Sequence, residues 1–185
     1  MISNLETPLD QAAKRLLILD RDGTIIENIP YLKDKKLIKF KSHVFEGLIK
    51  AQKNNIELVV ATNQSGVGRK IVTIDEVNKI NEEISRLLLI EGINLNQYIF
   101  CPHLPDFGCK CRKPNNGMIE EIIKIKKIER NCVSLIGDML TDVQAASKSG
   151  IKSYLVSEES NSDISLPKDA HLAKNFNEAI ELIVS

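Results

Sequence analysis

An excess of charge of either sign is missing from this chain: 25 basic residues stand against 25 acidic ones, for a formal net charge of zero. Without an overall field there is no long-range pull toward nucleic acid or an anionic membrane, so any anionic ligand must be held by local groups. Aromatic residues are scarce too, at 4%, and no basic stripe with interleaved aromatics occurs, which argues against a nucleic-acid partner. No apolar run approaches the ~20 residues that a spanning helix needs, which argues against a membrane partner. The opening stretch "MISNLETPLDQAAK" has no apolar core behind a basic tip, so a cytoplasmic location is expected. Internal repeats, low-complexity segments and linkers are also lacking, and the 185 residues fit one domain spanning 1–185, expected as a monomer.

What is present is an alternation. Five β-rich runs, "RLLILD" (15–20), "IELVVATN" (56–63), "QYIFCPH" (97–103), "CVSLIGD" (132–138) and "KSYLVS" (152–157), are mostly continuously apolar, as strands buried on both faces are. Helical patterns lie between them near 44–54, 73–92, 117–128 and 140–150, with a last helix near 175–184. In the longest, Ile74, Val77, Ile80, Ile84, Leu87 and Leu88 recur at helical spacing, with Thr73 as N-cap and Gly92 as stop. Strand–helix alternation predicts an α/β fold, a three-layer, Rossmann-like parallel sheet with helices on both faces. No insertion is long enough for a separate cap domain, and 157–169 reads as a polar surface loop.

In such sheets ligands bind at the carboxyl ends of strands. Asp20, Thr62-Asn63, His103 and Asp138 each close a predicted strand. Asp20 and Asp22, two residues apart, repel unless a cation lies nearby, which makes a hard, oxygen-liganded ion such as Mg²⁺ plausible. A calcium loop also opens with Asp-x-Asp, but its sixth position needs glycine and here holds Ile25. Taken singly, Asp20 and Asp22 are ordinary turn residues, Thr62 an N-cap, Asn63 a turn residue, Lys113 a solvated charge and Asp138 a helix cap. Four strand ends together supplying nucleophile, hydroxyl, cation and metal carboxylate outweigh those readings.

The ordered set "DRDGTI", "TNQSG", "RKP" and "GDMLTD" resembles the haloacid dehalogenase superfamily of aspartyl-phosphate phosphatases, over residues from about 15 to 157. The resemblance implies Asp20 as the nucleophile and Asp22 as acid for the leaving alcohol, then base for water. It implies Mg²⁺ held by the Asp20 carboxylate, the Asp22 backbone carbonyl and the Asp138 carboxylate, with Thr62 and Lys113 on the phosphoryl group and Asp142 supporting the metal end. Two anions must meet in such a reaction, so cations that cancel repulsion are chemically required.

Cys101-x-His103-x5-Cys109-x-Cys111 offers three sulfurs and one imidazole, the donor set of a closed tetrahedral zinc site. A redox pair would prefer Cys-x-x-Cys, which does not occur, and Cys132 reads as a small core residue. The knot ends directly before Arg112-Lys113, so a structural Zn²⁺ is expected to aim those cations. "CPHLPDFGCKCRKP" also resembles a subgroup of the superfamily whose members dephosphorylate D-glycero-D-manno-heptose 1,7-bisphosphate or histidinol phosphate. "ENIPYL", "TNQSGVGR" and "CRKPNNGMI" lean to the heptose enzymes, and the five-residue gap between His103 and Cys109 leans to the histidinol phosphatases. Both relatives carry a cation where Met139 stands, with Arg69 a candidate substitute. Substrate contacts are then implied at Asn28, Tyr31, Thr62, Asn63, Gln64, Ser65, Arg112 and Lys113, with a small phosphorylated sugar as substrate. A catalytically dead, zinc-stabilised binding module is the alternative from another class, disfavoured because Asp20, Asp22, Lys113 and Asp138 are all intact.

Overall fold

A computed structural model of the protein describes residues 1–5, 15–95, 97–157 and 165–185. The apolar runs form strands: β1 (Ile2–Ser3), β2 (Arg15–Leu19), β3 (Ile56–Asn63), β4 (Tyr98–Cys101), β5 (Val133–Gly137), β6 (Lys152–Val156) and β7 (Ala170–Ala173). They make one sheet in the order β1-β4-β3-β2-β5-β6-β7. All neighbours pair in parallel except β1, which runs antiparallel to β4. The helices are α1 (Val44–Lys53), α2 (Ser65–Gly68), α3 (Ile74–Ile90), α4 (Gly117–Lys126), α5 (Leu140–Lys148) and α6 (Phe176–Val184).

The central strands explain the three layers. Along β2, Leu17 and Leu19 point into a core shared with Val44 and Leu48 of α1, Ile80 and Ile84 of α3, and Phe176 and Ile180 of α6. Leu16 and Ile18 point the other way, onto Met118, Ile119 and Ile122 of α4 and Ala145 and Ala146 of α5. All four strand residues are at most 1% exposed, each contributing about 1.5–3 kcal/mol of burial, so β2 is fixed from both sides. From β2 the chain winds outward to β3 and β4 on one side and to β5, β6 and β7 on the other. The switch point therefore lies between β2 and β5, where a crevice opens at the carboxyl ends.

The α/β architecture, the five expected strands and the five expected helices are all present, with ends shifted by at most two residues. Thr73 caps α3 through a capping box: its Oγ1 accepts the Glu76 N–H at 3.1 Å, and Glu76 Oε2 accepts the Thr73 N–H at 2.7 Å. Three elements were not foreseen. β1 is two residues long, β7 leaves His171 and Leu172 exposed, and α2 is a single turn of Ser-Gly-Val-Gly, so none carries a periodic apolar signal. Of the surface loop expected over 157–169, residues 158–164 lie outside the described residues. Between β2 and β3 stand only a 3₁₀ turn at Lys35–Leu37 and α1, and between β3 and β4 only α2 and α3, which leaves no separate cap among the described residues. No described helix is long and apolar enough to cross a membrane.

Candidate active site

The ends of β2 and β5 are hydrogen-bonded neighbours, the Asp20 N–H donating to the Ile136 carbonyl at 2.9 Å, so the carboxylates that follow these strands meet. Oxygens of Asp20, Asp138 and Asp142 all lie within 4.8 Å of one another. Gly23 makes this possible at the first turn. Its φ is +90°, and a Cβ there would fall onto the Asp138 carboxylate. Thr24 Oγ1 donates to Asp138 Oδ1 at 3.2 Å, and Asp142 Oδ2 accepts the Met139 N–H at 3.1 Å at the start of α5.

Lys113 enters this cluster from the far side of β3. Its Nζ donates to Asp20 Oδ1 and the Ala61 carbonyl, each at 2.7 Å, and forms an ion pair with the Asp142 carboxylate. Burial alone would drive this ammonium to release its proton, but the Asp142 and Asp20 charges outweigh burial and hold its pKa above the usual value. Burial pushes Asp20 up to about 7, with Lys113 opposing and Asp142 and Asp22 adding to the rise. Burial, then Asp142, raises Asp138 as well. Three carboxylates against one ammonium leave a deficit of two positive charges among hard oxygen donors, which fits one divalent ion such as Mg²⁺.

Asp22 faces elsewhere. Its carboxylate lies in the fork of Arg21, with Nη2 to Oδ2 at 2.9 Å, and Oδ2 also accepts from Gln64 Nε2 at 2.7 Å. Gln64 donates to Thr62 Oγ1 at 3.0 Å, and the Thr62 hydroxyl stands 3.5 Å from Asp22 Oδ2. Asp20, Asp22, Thr62 and Lys113 thus form one contiguous group.

The four donors of the cysteine knot lie together. The three sulfurs of Cys101, Cys109 and Cys111 lie 3.3–3.6 Å apart, and His103 Nδ1 is 3.5 Å and 3.3 Å from the Cys101 and Cys111 sulfurs. A tetrahedron with Zn–S bonds of about 2.3 Å has sulfurs about 3.8 Å apart, so the four donors sit within a few tenths of an ångström of a zinc cage. Burial pushes the Cys101 thiol up to about 12, a proton that a thiophilic cation would displace. Phe107 stacks on the His103 ring at 4.6 Å between centroids. Cys132 stands apart, free and half-buried as the last residue of a 3₁₀ turn (Arg130–Cys132).

A cleft of about 430 Å³ opens over this group. Asn28, Tyr31, Asn63, Ser65 and Arg112 line it, together with Arg21, Met139 and Thr141. The Tyr31 ring packs on Gly66, where a Cβ would come within 2.8 Å of it. Asn63 turns its amide onto the main chain of Lys113. Arg112 Nη1 is buried with no hydrogen-bond partner among the described residues. Arg69 is exposed at the end of α2 and is not among the lining residues. Arg21 and Thr24 were missed from sequence, although both stand inside "DRDGT". Their contacts run to α3 and to the residue after β5, 60 and 114 positions away, which no local pattern reports.

The model of the polynucleotide kinase 3 phosphatase family matches residues 15–178. The chain is 31% identical over 170 residues to the D-glycero-beta-D-manno-heptose-1,7-bisphosphate 7-phosphatase of Helicobacter pylori, covering 91% of this chain and 97% of that protein. It is 32% identical over 142 residues to the histidine biosynthesis bifunctional protein HisB of Blochmanniella floridana, covering 75% of this chain but 40% of that longer protein. The crystal structure of D,D-heptose 1,7-bisphosphate phosphatase from B. bronchiseptica, complexed with magnesium and phosphate, superimposes with a TM-score of 0.83 at 28% identity, covering 92% of this chain and 98% of that one. With the match running through every strand from β2 to β7, the chain belongs to the polynucleotide kinase 3 phosphatase family of the haloacid dehalogenase superfamily and is a phosphatase.

Proposed function

We propose that the protein hydrolyses a phosphomonoester through an aspartyl-phosphate on Asp20, and that its substrate is D-glycero-D-manno-heptose 1,7-bisphosphate, cleaved at the 7-phosphate. One observation carries the reading: Asp20 and Lys113 meet at 2.7 Å, buried at the floor of a cleft whose wall holds the unpartnered Nη1 of Arg112. Lys113 neutralises the anion that must approach Asp20, and Arg112 is left to take a second phosphate or a sugar oxygen. Asp20 attacks phosphorus, the bond to the leaving oxygen breaks, and Asp22 supplies the proton that oxygen needs. Asp22 then takes a proton from the water that cleaves the acyl phosphate. Mg²⁺, held by the carboxylates of Asp20 and Asp138 with Asp142 behind them and by the main chain of Asp22, would supply further charge neutralisation at the phosphoryl oxygens. Zn²⁺ in the knot is structural, since four protein donors close its coordination.

The substrate assignment draws on the heptose phosphatases among the relatives and on the second cation in the cleft. Histidinol phosphate is the second reading, favoured by the five-residue gap between His103 and Cys109 and by the kinship with HisB. The balanced net charge and the 4% aromatic content weigh against nucleic-acid ends despite the family's description. Cytoplasmic location and a monomeric state belong to the same proposal. The test is phosphate release with Mg²⁺ from both heptose bisphosphate anomers, histidinol phosphate, a 3′-phosphorylated oligonucleotide and simple sugar phosphates. A heptose preference of less than about tenfold in kcat/KM, roughly 1.4 kcal/mol, defeats the narrow assignment.

A further inference from the structure

We infer that Arg21 and Asn81 form a positioning relay that holds Asp22 in its resting orientation and couples helix α3 to the proton-transfer step. The inference rests on the phosphatase reading above, in which Asp22 is the acid and base.

Arg21 is 1% exposed and Asn81 is 4% exposed. A guanidinium this deeply buried needs acceptors for its N–H groups. One side of the fork, Nε and Nη2, takes both oxygens of Asp22 at 2.9–3.3 Å. Nη1 takes Asn81 Oδ1 at 2.8 Å. Asn81 is out of pattern in α3: the other buried positions of that helix, Val77, Ile80, Ile84 and Leu88, are all apolar. A polar side chain among them serves α3 packing poorly. It has a use if the plane of the Arg21 fork must be fixed, because two anchored edges leave the planar group no freedom to rotate.

The consequence concerns Asp22. While both its oxygens accept from the Arg21 cation, and Oδ2 also from Gln64, the carboxylate is held in its ionised form and turned toward the fork. To protonate a leaving alkoxide it must turn out of the fork, and to return it must find the fork where it left it. Asn81 keeps it there. Asn81 does not line the cleft, and Arg21, which does, acts through the Asp22 carboxylate it holds, so each is a positioning residue.

The experiment compares Asn81→Leu, Asn81→Ser and Asn81→Asp with the wild-type chain, full length and saturated with Mg²⁺ and Zn²⁺. Two substrates are used: the panel alkyl phosphate that the wild type turns over fastest, and p-nitrophenyl phosphate, whose leaving phenolate needs no proton. The leucine and serine variants lack an acceptor in reach of Arg21. For these we expect kcat on the alkyl phosphate to fall at least tenfold per folded molecule, within the range general acid catalysis supplies, with KM changed by less than about twofold. First-turnover release of p-nitrophenol should stay within about twofold of wild type. Asn81→Asp restores an oxygen at the same place and should recover kcat to within about threefold. A merely structural Asn81 predicts lower melting temperatures with kcat unchanged in the folded fraction, and that result overturns the relay. Equal losses in first-turnover rate on both substrates overturn it too. Failure of the wild type to release phosphate from any substrate would instead sink the phosphatase reading, and is distinguishable because it needs no variant.

Discussion

The side-chain amide of Asn63 grips the main chain of Lys113 at both ends, its Nδ2 donating to the Lys113 carbonyl at 3.0 Å and its Oδ1 accepting the Lys113 N–H at 3.1 Å. Asn63 is the last residue of β3, and Lys113 follows the knot by two residues, so this pair of bonds ties the sheet to the cysteine–histidine loop. Lys113 is therefore located three times over: by the sheet through Asn63, by the knot through Cys111, and by Asp20 and Asp142 at its tip. A cation delivered by a loop acquires in this way the precision of one delivered by a strand.

Asn63→Leu should loosen Lys113 by removing both main-chain contacts. Two half-buried main-chain groups lose their partners, and each is worth about 1 kcal/mol net, so chemical denaturation should read a loss of about 1–3 kcal/mol. Because the lost order lies at the cation proposed to meet the phosphoryl group, kcat should fall by roughly ten- to a hundredfold while the fold persists. Unchanged kcat in a variant of lowered stability would mean the tip contacts alone locate Lys113.

Asp20→Asn separates stability from activity. Burial raises the Asp20 pKa from 3.8 to about 7, so the folded state prefers the protonated acid. The sign follows: stability from this preference is complete below the unfolded pKa and is lost as pH rises through about 7. A neutral amide escapes that loss. In chelator at pH 8, Asp20→Asn should be more stable than wild type by roughly 1–4 kcal/mol while having no phosphatase activity. Adding Mg²⁺ should raise the melting temperature of the wild type and leave the variant almost unmoved. A variant that keeps turnover, or one that gains as much from Mg²⁺ as the wild type, contradicts the assignment of Asp20.

Zinc removal should act on the proposed phosphate-binding cations, Arg112 and Lys113, at one remove. With donors 3.3–3.6 Å apart and Lys113 two residues beyond Cys111, the native protein should carry one zinc per chain by elemental analysis. Cys111→Ser, or extraction of the metal under reducing conditions, should lower the melting temperature by about 5–10 °C. It should also reduce kcat at saturating Mg²⁺, since Arg112 and Lys113 lose their anchor. Loss of zinc with both quantities unchanged would make the knot a passive ornament of the surface.

Much of this was legible beforehand for a physical reason. Strands such as "RLLIL" and "IELVVATN" are apolar because both faces are covered, and a strand covered on both faces lies inside a parallel sheet whose carboxyl ends carry the chemistry. Donor sets closely spaced in sequence, such as Cys101 to Cys111, announce themselves for the same local reason. What stayed hidden depends on tertiary meetings. Nothing in "DRDG" says that Arg21 will be buried against Asn81, or that the amide of Asn63 will turn onto the main chain of Lys113 rather than toward the cleft. β7 escaped because a four-residue edge strand with two exposed positions has no period to read.

The alkaline limb of stability tests the wall behind the relay. Tyr98, at the start of β4, is 3% exposed, and its hydroxyl shares a hydrogen bond with Ser85 Oγ of α3 at 3.1 Å. Burial pushes its pKa from 10 up to about 12, against the opposing pull of the Ser85 bond and the nearby Arg21 charge. The folded state therefore holds the phenol proton more tightly than the unfolded chain does. Its contribution is whole below pH 10 and disappears as pH rises through about 12, a span worth up to about 3 kcal/mol. Tyr98→Phe loses one hydrogen bond at neutral pH and should be less stable there by about 1 kcal/mol. Between pH 10 and 12 the wild type alone is penalised for keeping its phenol protonated, so the gap should close and then reverse. Urea denaturation of both proteins from pH 7 to pH 12 reads the crossing directly. A gap that stays constant across that range would mean the phenol ionises as freely when folded as when unfolded, and that the ring is not sealed between α3 and the sheet as the structure has it.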